Sequence, residues 1–255
     1  MEKSIPKIIF IVPYRNRPQQ KHHFDIYMNY IMEDYNINDY KIYFSHQCDN
    51  RNFNRGAMKN IGFIAMKQKY PNDYKNITFV FNDIDTMPYK KNLINYQTRH
   101  GIVKHFFGFN FALGGIVSIT GADFERIGGF PNFWAWGLED NAFNNRVLKN
   151  KIQIDRSNFY EIHNHNIINL TDSKAKVLSK ENSWRFVDNN YDSLYDIKNL
   201  KFNIENEFIN ITFFNTNINP VNDTYYYSQN NSKIHLDNRF NTNNKNSLKN
   251  MNFFN

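Results

Sequence analysis

At 255 residues the chain is long enough for one well-buried α/β domain, or one domain with a tail. A formal charge of +7 suits an anionic ligand, and a single cysteine, Cys48, excludes an internal disulfide. Aromatic residues make up 17% of the chain, mostly Phe and Tyr, which suits a packed core and carbohydrate stacking alike.

Lys7-Ile-Ile-Phe-Ile-Val12 is too short a run for a membrane span or a signal segment, so no transmembrane segment and a cytoplasmic location are expected. The run ends at Pro13 and predicts a buried central strand. Gln20 to Asp34 predicts a helix. Lys41 to Ser45 alternates, with Ile42 and Phe44 on one face, and predicts a second strand; Cys48 just beyond reads as a small buried residue. Arg55 to Lys69 carries Met58, Ile61, Ala65 and Met66 at helical spacing. Thr78 to Phe81 predicts a third buried strand that feeds into Asn82-Asp-Ile-Asp85. Strands alternating with helices imply βαβ units and a mostly parallel sheet. Ligands bind beyond the carboxyl ends of such strands, where the Arg15/Arg17 and Asp83/Asp85 loops fall.

Phe106 to Ser118 is rich in aromatics and glycine, and predicts extended segments and a tight turn at Gly114-Gly115 lining a site. Ala122 to Ile127 predicts a short helix stopped by Gly128-Gly129. Glu139 to Asn150 predicts a longer one, with Phe143 and Val147 inward. Gln153 to Tyr160 returns to the sheet, His163 to Ser179 reads as a polar loop, and Leu200 to Phe214 holds two strand-like runs. From Asn217 the chain turns Asn-, Ser- and Lys-rich. One catalytic domain over 1–216 and a loosely ordered tail over 217–255 are expected.

The most informative stretch is Phe130-Pro-Asn-Phe-Trp-Ala-Trp-Gly-Leu-Glu-Asp140. Two rings, Trp134 and Trp136, precede two carboxylates, Glu139 and Asp140, at a helix start. Exposed rings there would stack on a sugar, and a helix N-terminus keeps a carboxylate ionised by roughly 0.3–1 kcal/mol. Helix capping explains one carboxylate but not the tryptophans. Asp83-x-Asp85 at a strand end can grip a divalent ion and a ribose or diphosphate, and equally reads as a solvated acidic turn. Arg15, Arg17 and Arg55 carry guanidinium forks suited to phosphate, with Tyr14 or Phe53 able to support a base; surface arginines are the plainer alternative. Ile162-His-Asn-His165 offers imidazoles that could complete a metal site. The remaining histidines read as structural or solvated. The basic residues are dispersed and no nucleic-acid motif occurs.

These pieces stand in an order that resembles the β-1,4-galactosyltransferase family, inverting sugar transferases of the GT-A fold. Val12-Pro-Tyr-Arg-Asn-Arg17 is similar to the family's P-[FY]-R-N-R, Phe53-Asn-Arg-Gly56 to F-N-R-[AG], and Phe79-Val-Phe-Asn-Asp-Ile-Asp85 to F-V-F-x-D-V-D. Gly114-Gly115-x-x-Ser118 resembles G-G-V-S, and Gly129-Phe-Pro-Asn132 with Trp134-Ala-Trp-Gly-Leu-Glu-Asp140 resembles G-F-P-N…W-G-W-G-G-E-D-D. The resemblance spans about Lys7 to Ser179 and weakens toward Asn215. It implies an α/β GT-A fold: a Rossmann-like, mixed, mostly parallel sheet flanked by helices.

By position, the resemblance implies that Pro13, Arg15, Arg17, Phe53 and Arg55 hold uridine diphosphate, that Asp83 touches the donor, and that Trp136 covers it. Asp85 and His163 would bind Mn²⁺, with Mg²⁺ possible and His165 a substitute ligand, because Tyr160 stands where the family has methionine. Asp140 would be the catalytic base, with Glu139 beside it on the sugar and Trp134 as acceptor platform. Asn141 replaces an aspartate that helps hold an N-acetylglucosamine acceptor. Ala112 falls near a bulky position that restricts the donor, so UDP-N-acetylgalactosamine is expected beside UDP-galactose, with a glycan or glycoconjugate acceptor. Leu138 replaces a glycine. A catalytically inactive sugar or nucleotide binder of the same fold is the alternative.

Overall fold

The structure is a computed structural model and describes residues 4–170, 176–179, 192–220 and 224–227. Its first half is a βαβαβ unit: β1 (Ile8–Tyr14), α1 (Pro18–Ile31), β2 (Tyr40–Gln47), α2 (Arg55–Lys69) and β3 (Thr78–Asn82). β1 lies between β2 and β3, parallel to both. Its residues alternate between two layers. Ile9 and Ile11 join the core of Ala57, Met58 and Ile61 from α2, and Ile8, Phe10 and Val12 join that of Phe24 and Met28 from α1. A strand covered on both faces has no polar side, which is why the run is apolar throughout. Pro18 opens α1, where a missing N–H costs nothing, and the Asn54 side chain caps α2 by accepting from the Ala57 N–H at 2.9 Å.

The strands that follow are β4 (Thr86–Pro88), β5 (Ile102–Gly108) and β6 (Ile116–Thr120). Two helices, α3 (Gly121–Arg126) and α4 (Glu139–Lys149), come next. After them come β7 (Gln153–Asp155), β8 (Tyr160–Glu161), β9 (Ile167–Asn169), β10 (Lys176–Ser179), β11 (Lys198–Glu205), β12 (Phe208–Asn215) and β13 (Thr224–Tyr227). Among the described residues the main sheet has the order β11-β12-β2-β1-β3-β6-β5-β7, with β8 also on β5. β6 is antiparallel to β3 and β5, whereas β7, β8 and β12 add in parallel. The chain winds outward from β1 in both directions, so a crevice opens between the carboxyl ends of β1 and β3. Arg15 follows the first of these ends and Asp83 the second.

Three expectations change. The segment after His163 is not simply a loop: β9 pairs antiparallel with β4, and the Leu170 N–H donates to the Asp85 carbonyl at 2.8 Å. Backbone pairing thus ties this segment to the acidic turn; residues 171–175 lie outside those described, and β10 pairs with β13. Cys48 is exposed rather than buried. Of the tail expected over 217–255, residues 221–223 and 228–255 lie outside those described.

The third change is Trp134, which is fully buried and therefore no sugar platform. Its ring stacks on Phe214 with centroids 5.2 Å apart, and the Arg51 guanidinium lies 4.5 Å from the ring centre. Its Nε1–H donates to Ile218 O at 2.8 Å and Thr216 Oγ1 at 3.1 Å. Both the apolar body and the polar tip of the indole are used inside the protein. Trp134→Ala is expected to lower unfolding free energy by about 3–5 kcal/mol in a urea titration. An unchanged midpoint would return the ring to the surface role.

Candidate active site

Arg55 is the first residue of α2, and its guanidinium meets three carboxylates. Nε donates to Glu139 Oε1 at 2.5 Å, Nη1 to Asp83 Oδ2 at 3.1 Å, and Nη2 to Asp140 Oδ2 at 2.7 Å. One turn along the helix, Lys59 Nζ donates to Asp140 Oδ1 at 2.9 Å. The β3–β4 turn and the start of α4, far apart in sequence, thus share one cation. Glu139 is only 2% exposed, and the Asp140 and Asp83 side chains keep a partial opening to solvent.

Close packing fixes Asp140. A Cβ added to Gly114 would lie 2.3 Å from Asp140 Oδ2, so only glycine lets that turn rest against the carboxylate. The Leu113 N–H also donates to the Asp140 carbonyl at 3.0 Å. Behind this turn, buried His105 accepts at Nδ1 from Arg156 Nε at 3.0 Å, which leaves Nε2–H to donate to Phe107 O and Gly114 O at 3.0 and 3.2 Å. Burial, with Arg156 beside it, pushes the His105 pKa down to about 4, so the imidazole is neutral. Its structural reading from sequence holds.

Burial alone would raise the Asp140 pKa, but Arg55 and Lys59 outweigh it and hold the group below the ordinary carboxylate range. Asp85 behaves oppositely. Burial and the neighbouring Asp83 push it up to about 6, against the pull of Arg17 and Arg55.

The arginines expected to hold phosphate stand at the same sheet edge. Arg15 donates from Nη1 to Arg51 O at 2.5 Å and lies 5.1 Å from the Phe53 ring centre. Burial lowers its pKa, partly offset by Asp49. Arg17 occupies the position just before α1, without a side-chain capping bond, and acts electrostatically on Asp85. Pro13 is buried in β1. Trp136 and Asn141 are half-buried on either side of the Glu139-Asp140 pair, and Ala112 is buried two residues before Gly114. Ala135 and Leu138, around Trp136, have φ of 66° and 71°. Left-handed backbone costs an L-residue about 1–2 kcal/mol, so glycines would be easier here.

Asp85 with His163 and His165 supplies carboxylate and imidazole donors of a kind that fits Mn²⁺ or Mg²⁺ only in part, since imidazole suits the former better. Both histidines are exposed, on the turn that leads into β9, the strand beside Asp85. A carboxylate pushed upward by burial and by a like charge is one that a divalent cation would relieve. Among the described residues, however, no three His, Cys, Asp or Glu side chains form a ready-made metal cluster.

Sequence reasoning missed Lys59 and Arg51. Lys59 was legible as a lysine on the apolar face of α2, four residues after Arg55. Arg51 carries no such signal, because apart from nearby Asp49 its partners Phe214 and Trp134 are brought to it only by the fold. The stacked, exposed rings of Phe109 and Phe111, 5.2 Å apart, stand in the stretch expected to line the site.

Arg55→Met should leave its three carboxylates short of a cation and cost about 3–5 kcal/mol near neutral pH. In the wild type the lowered Asp140 pKa adds stability above the unfolded value, and that contribution fades as pH falls through the folded one. The variant's deficit should therefore shrink on acidification. Unfolding titrations at neutral and acid pH check this, and a deficit independent of pH would contradict it.

Residues 3–98 match the family model described as the N-terminal region of glycosyl transferase group 7, and residues 105–169 match that described as the N-terminal domain of galactosyltransferase. β-1,4-Galactosyltransferase 1 of Mus musculus is 34% identical over 161 residues, covering 60% of this chain and 39% of that protein. Xylosylprotein 4-β-galactosyltransferase of Caenorhabditis elegans is 27% identical over 165 residues, covering 61% and 55%. The chain thus spans 39% to 55% of the length of these relatives. Among solved structures, the catalytic domain of Drosophila β1,4-galactosyltransferase 7 in complex with xylobiose superposes with a TM-score of 0.68 at 19% identity, over 84% of this chain and 96% of that one. A mutant of that enzyme in complex with manganese, UDP-Gal and xylobiose gives 0.66 at 19% identity, over 82% and 94%. These likenesses establish the GT-A fold, and with the two family models they lead to one assignment. The chain belongs to the β-1,4-galactosyltransferase family, glycosyltransferase group 7.

Proposed function

We propose that this protein is an inverting, metal-dependent hexosyltransferase. It moves galactose or N-acetylgalactosamine from a UDP-sugar to a hydroxyl of a glycan or glycoconjugate acceptor and forms a β-glycosidic bond. The observation that carries this reading is the Arg55 cluster, which draws the Asp83-x-Asp85 turn and the Glu139-Asp140 pair to one crevice. A displacement at the anomeric carbon needs a diphosphate-holding side and a base side with one sugar between them.

Asp140 takes the proton of the acceptor hydroxyl as its oxygen bonds to the anomeric carbon. The bond from that carbon to the diphosphate breaks, and its electron pair leaves with UDP. A positioned base contributes about 10²–10⁴ in rate. Arg15 and Arg17 face the diphosphate, and Phe53 supports the base. Arg55 is shared among three carboxylates, so an entering diphosphate competes for it and frees Asp140 Oδ2. Asp85, with His163 and His165, would hold Mn²⁺ or Mg²⁺, which when bound supplies positive charge beside the leaving diphosphate. Trp136 covers the donor and excludes water. Small Ala112 leaves room for an N-acetyl group on the donor sugar. The manganese and UDP-Gal of the Drosophila complex support the choice of metal and nucleotide.

The test is UDP release with Mn²⁺ from UDP-galactose and UDP-N-acetylgalactosamine against a panel of monosaccharide and disaccharide acceptors. Acceptor-dependent release is expected from both donors, and a strong preference for galactose would reject the role given to Ala112. Asp140→Asn should abolish transfer and leave UDP binding within about threefold, because a base acts in the transition state and not in donor binding. Asp85→Ala should remove the metal-dependent transfer activity. UDP binding with no transfer to any acceptor would favour the inactive binder.

A further inference from the structure

Lys59 takes no part in the chemistry above, yet its ammonium touches the proposed base. The residue is 1% exposed, with Nζ 2.9 Å from Asp140 Oδ1 and 4.3 Å from the centre of the Phe130 ring. Its neighbours on the same helix, Met58 and Ile61, fill the core with apolar side chains. An ammonium in such a place is costly unless a counter-charge compensates it, and Asp140 is that counter-charge.

The two Asp140 oxygens have different partners. Oδ2 faces Arg55, and Oδ1 faces Lys59. Arg55 also serves Asp83 and Glu139 and is open to an incoming phosphate. Lys59 is sealed from solvent and has no other ion-pair partner among the described residues. When a diphosphate draws Arg55 away, Lys59 therefore remains. We infer that Lys59 is a positioning residue: it pins Asp140 Oδ1, keeps the carboxylate charged once Arg55 has turned to the donor, and leaves Oδ2 as the oxygen that takes the acceptor proton. This inference rests on Asp140 being the base.

The charged and titratable groups around Asp140 are Arg55 and Lys59 from α2, Glu139 beside it on α4, Asp83 across Arg55, and His105 behind Gly114. Burial favours the neutral acid, and the two cations oppose it. Without Lys59, only Arg55 opposes it, and in the donor complex neither does.

Lys59→Met keeps an unbranched side chain one atom shorter and removes its charge. The acid limb of the pH–rate profile should move up by about one unit or more, and kcat should fall about tenfold, with KM for the UDP-sugar within about twofold. Lys59→Gln, which donates a hydrogen bond without charge, should recover part of kcat and leave the limb shifted. A carbon-13 titration of the Asp140 carboxyl without substrate, assigned with Asp140→Asn, should show the same upward move in both variants. A limb and a titration that stay in place in folded variants overturn the inference, and if Lys59→Met does not fold, the titration of Lys59→Gln decides. Absence of transfer by the wild type would sink the functional reading alone. The titration would still tell whether Lys59 sets the charge of Asp140.

Discussion

One guanidinium organises this site. Arg55 can meet Asp83, Glu139 and Asp140 together only because α2 starts in the crevice between the acidic turn after β3 and the first turn of α4. Close approach sets the position of α2. A Cβ on Gly56 would lie 1.9 Å from the Pro131 carbonyl, so the first turn of the helix rests directly on the Phe130–Asn132 backbone. The same loop is held by buried amides: Asn60 Nδ2 donates to Phe130 O at 2.7 Å and to Asn132 Oδ1 at 2.8 Å, and Asn54 Nδ2 donates to Asn132 O at 2.8 Å. Asn132 in turn donates to Asp192 Oδ1 at 2.7 Å, and Arg146 Nη1 donates to Gly129 O at 3.0 Å. Buried polar groups paired in this way specify one geometry, because any other leaves them unpaired.

The alternation of strand and helix was legible because both faces of β1 are buried and the apolar run has no interruption. The start of α2 was legible from Arg55 and its end from Lys69, since no proline interrupts the spacing of Met58, Ile61, Ala65 and Met66; Gly62 within it lets the helix approach Ile11 of β1. The acidic elements were legible as a pair, because Asp83-x-Asp85 follows a strand and Glu139-Asp140 opens a helix. What was not legible depends on long-range contact. Trp134 reads like Trp136 in the sequence, but Phe214 of β12 and Thr216 and Ile218 just after it enclose it from some eighty residues away. The His163 segment reads as loop because β9 is three residues long and gains its stability from β4.

The tryptophan loop carries its own constraint. Ala135 and Leu138 occupy left-handed backbone that glycine would adopt without strain, and Leu138 packs with Phe133 and Ala142. That packing offsets the local cost, so Trp136 is presented from a loop held by side-chain burial as well as by backbone freedom. The two histidines, in contrast, sit exposed on a turn held between β8, which pairs with β5, and β9, which pairs with β4.

The account stands on the acidic turn and the acidic helix start flanking one sugar. A crystal structure with Mn²⁺ and a non-hydrolysable UDP-hexose, with the metal located by anomalous scattering, addresses that directly. The account predicts the metal on Asp85, the diphosphate on the arginines, and the hexose between them and Asp140. A metal bound away from Asp85, or a hexose that does not reach Asp140, would contradict it.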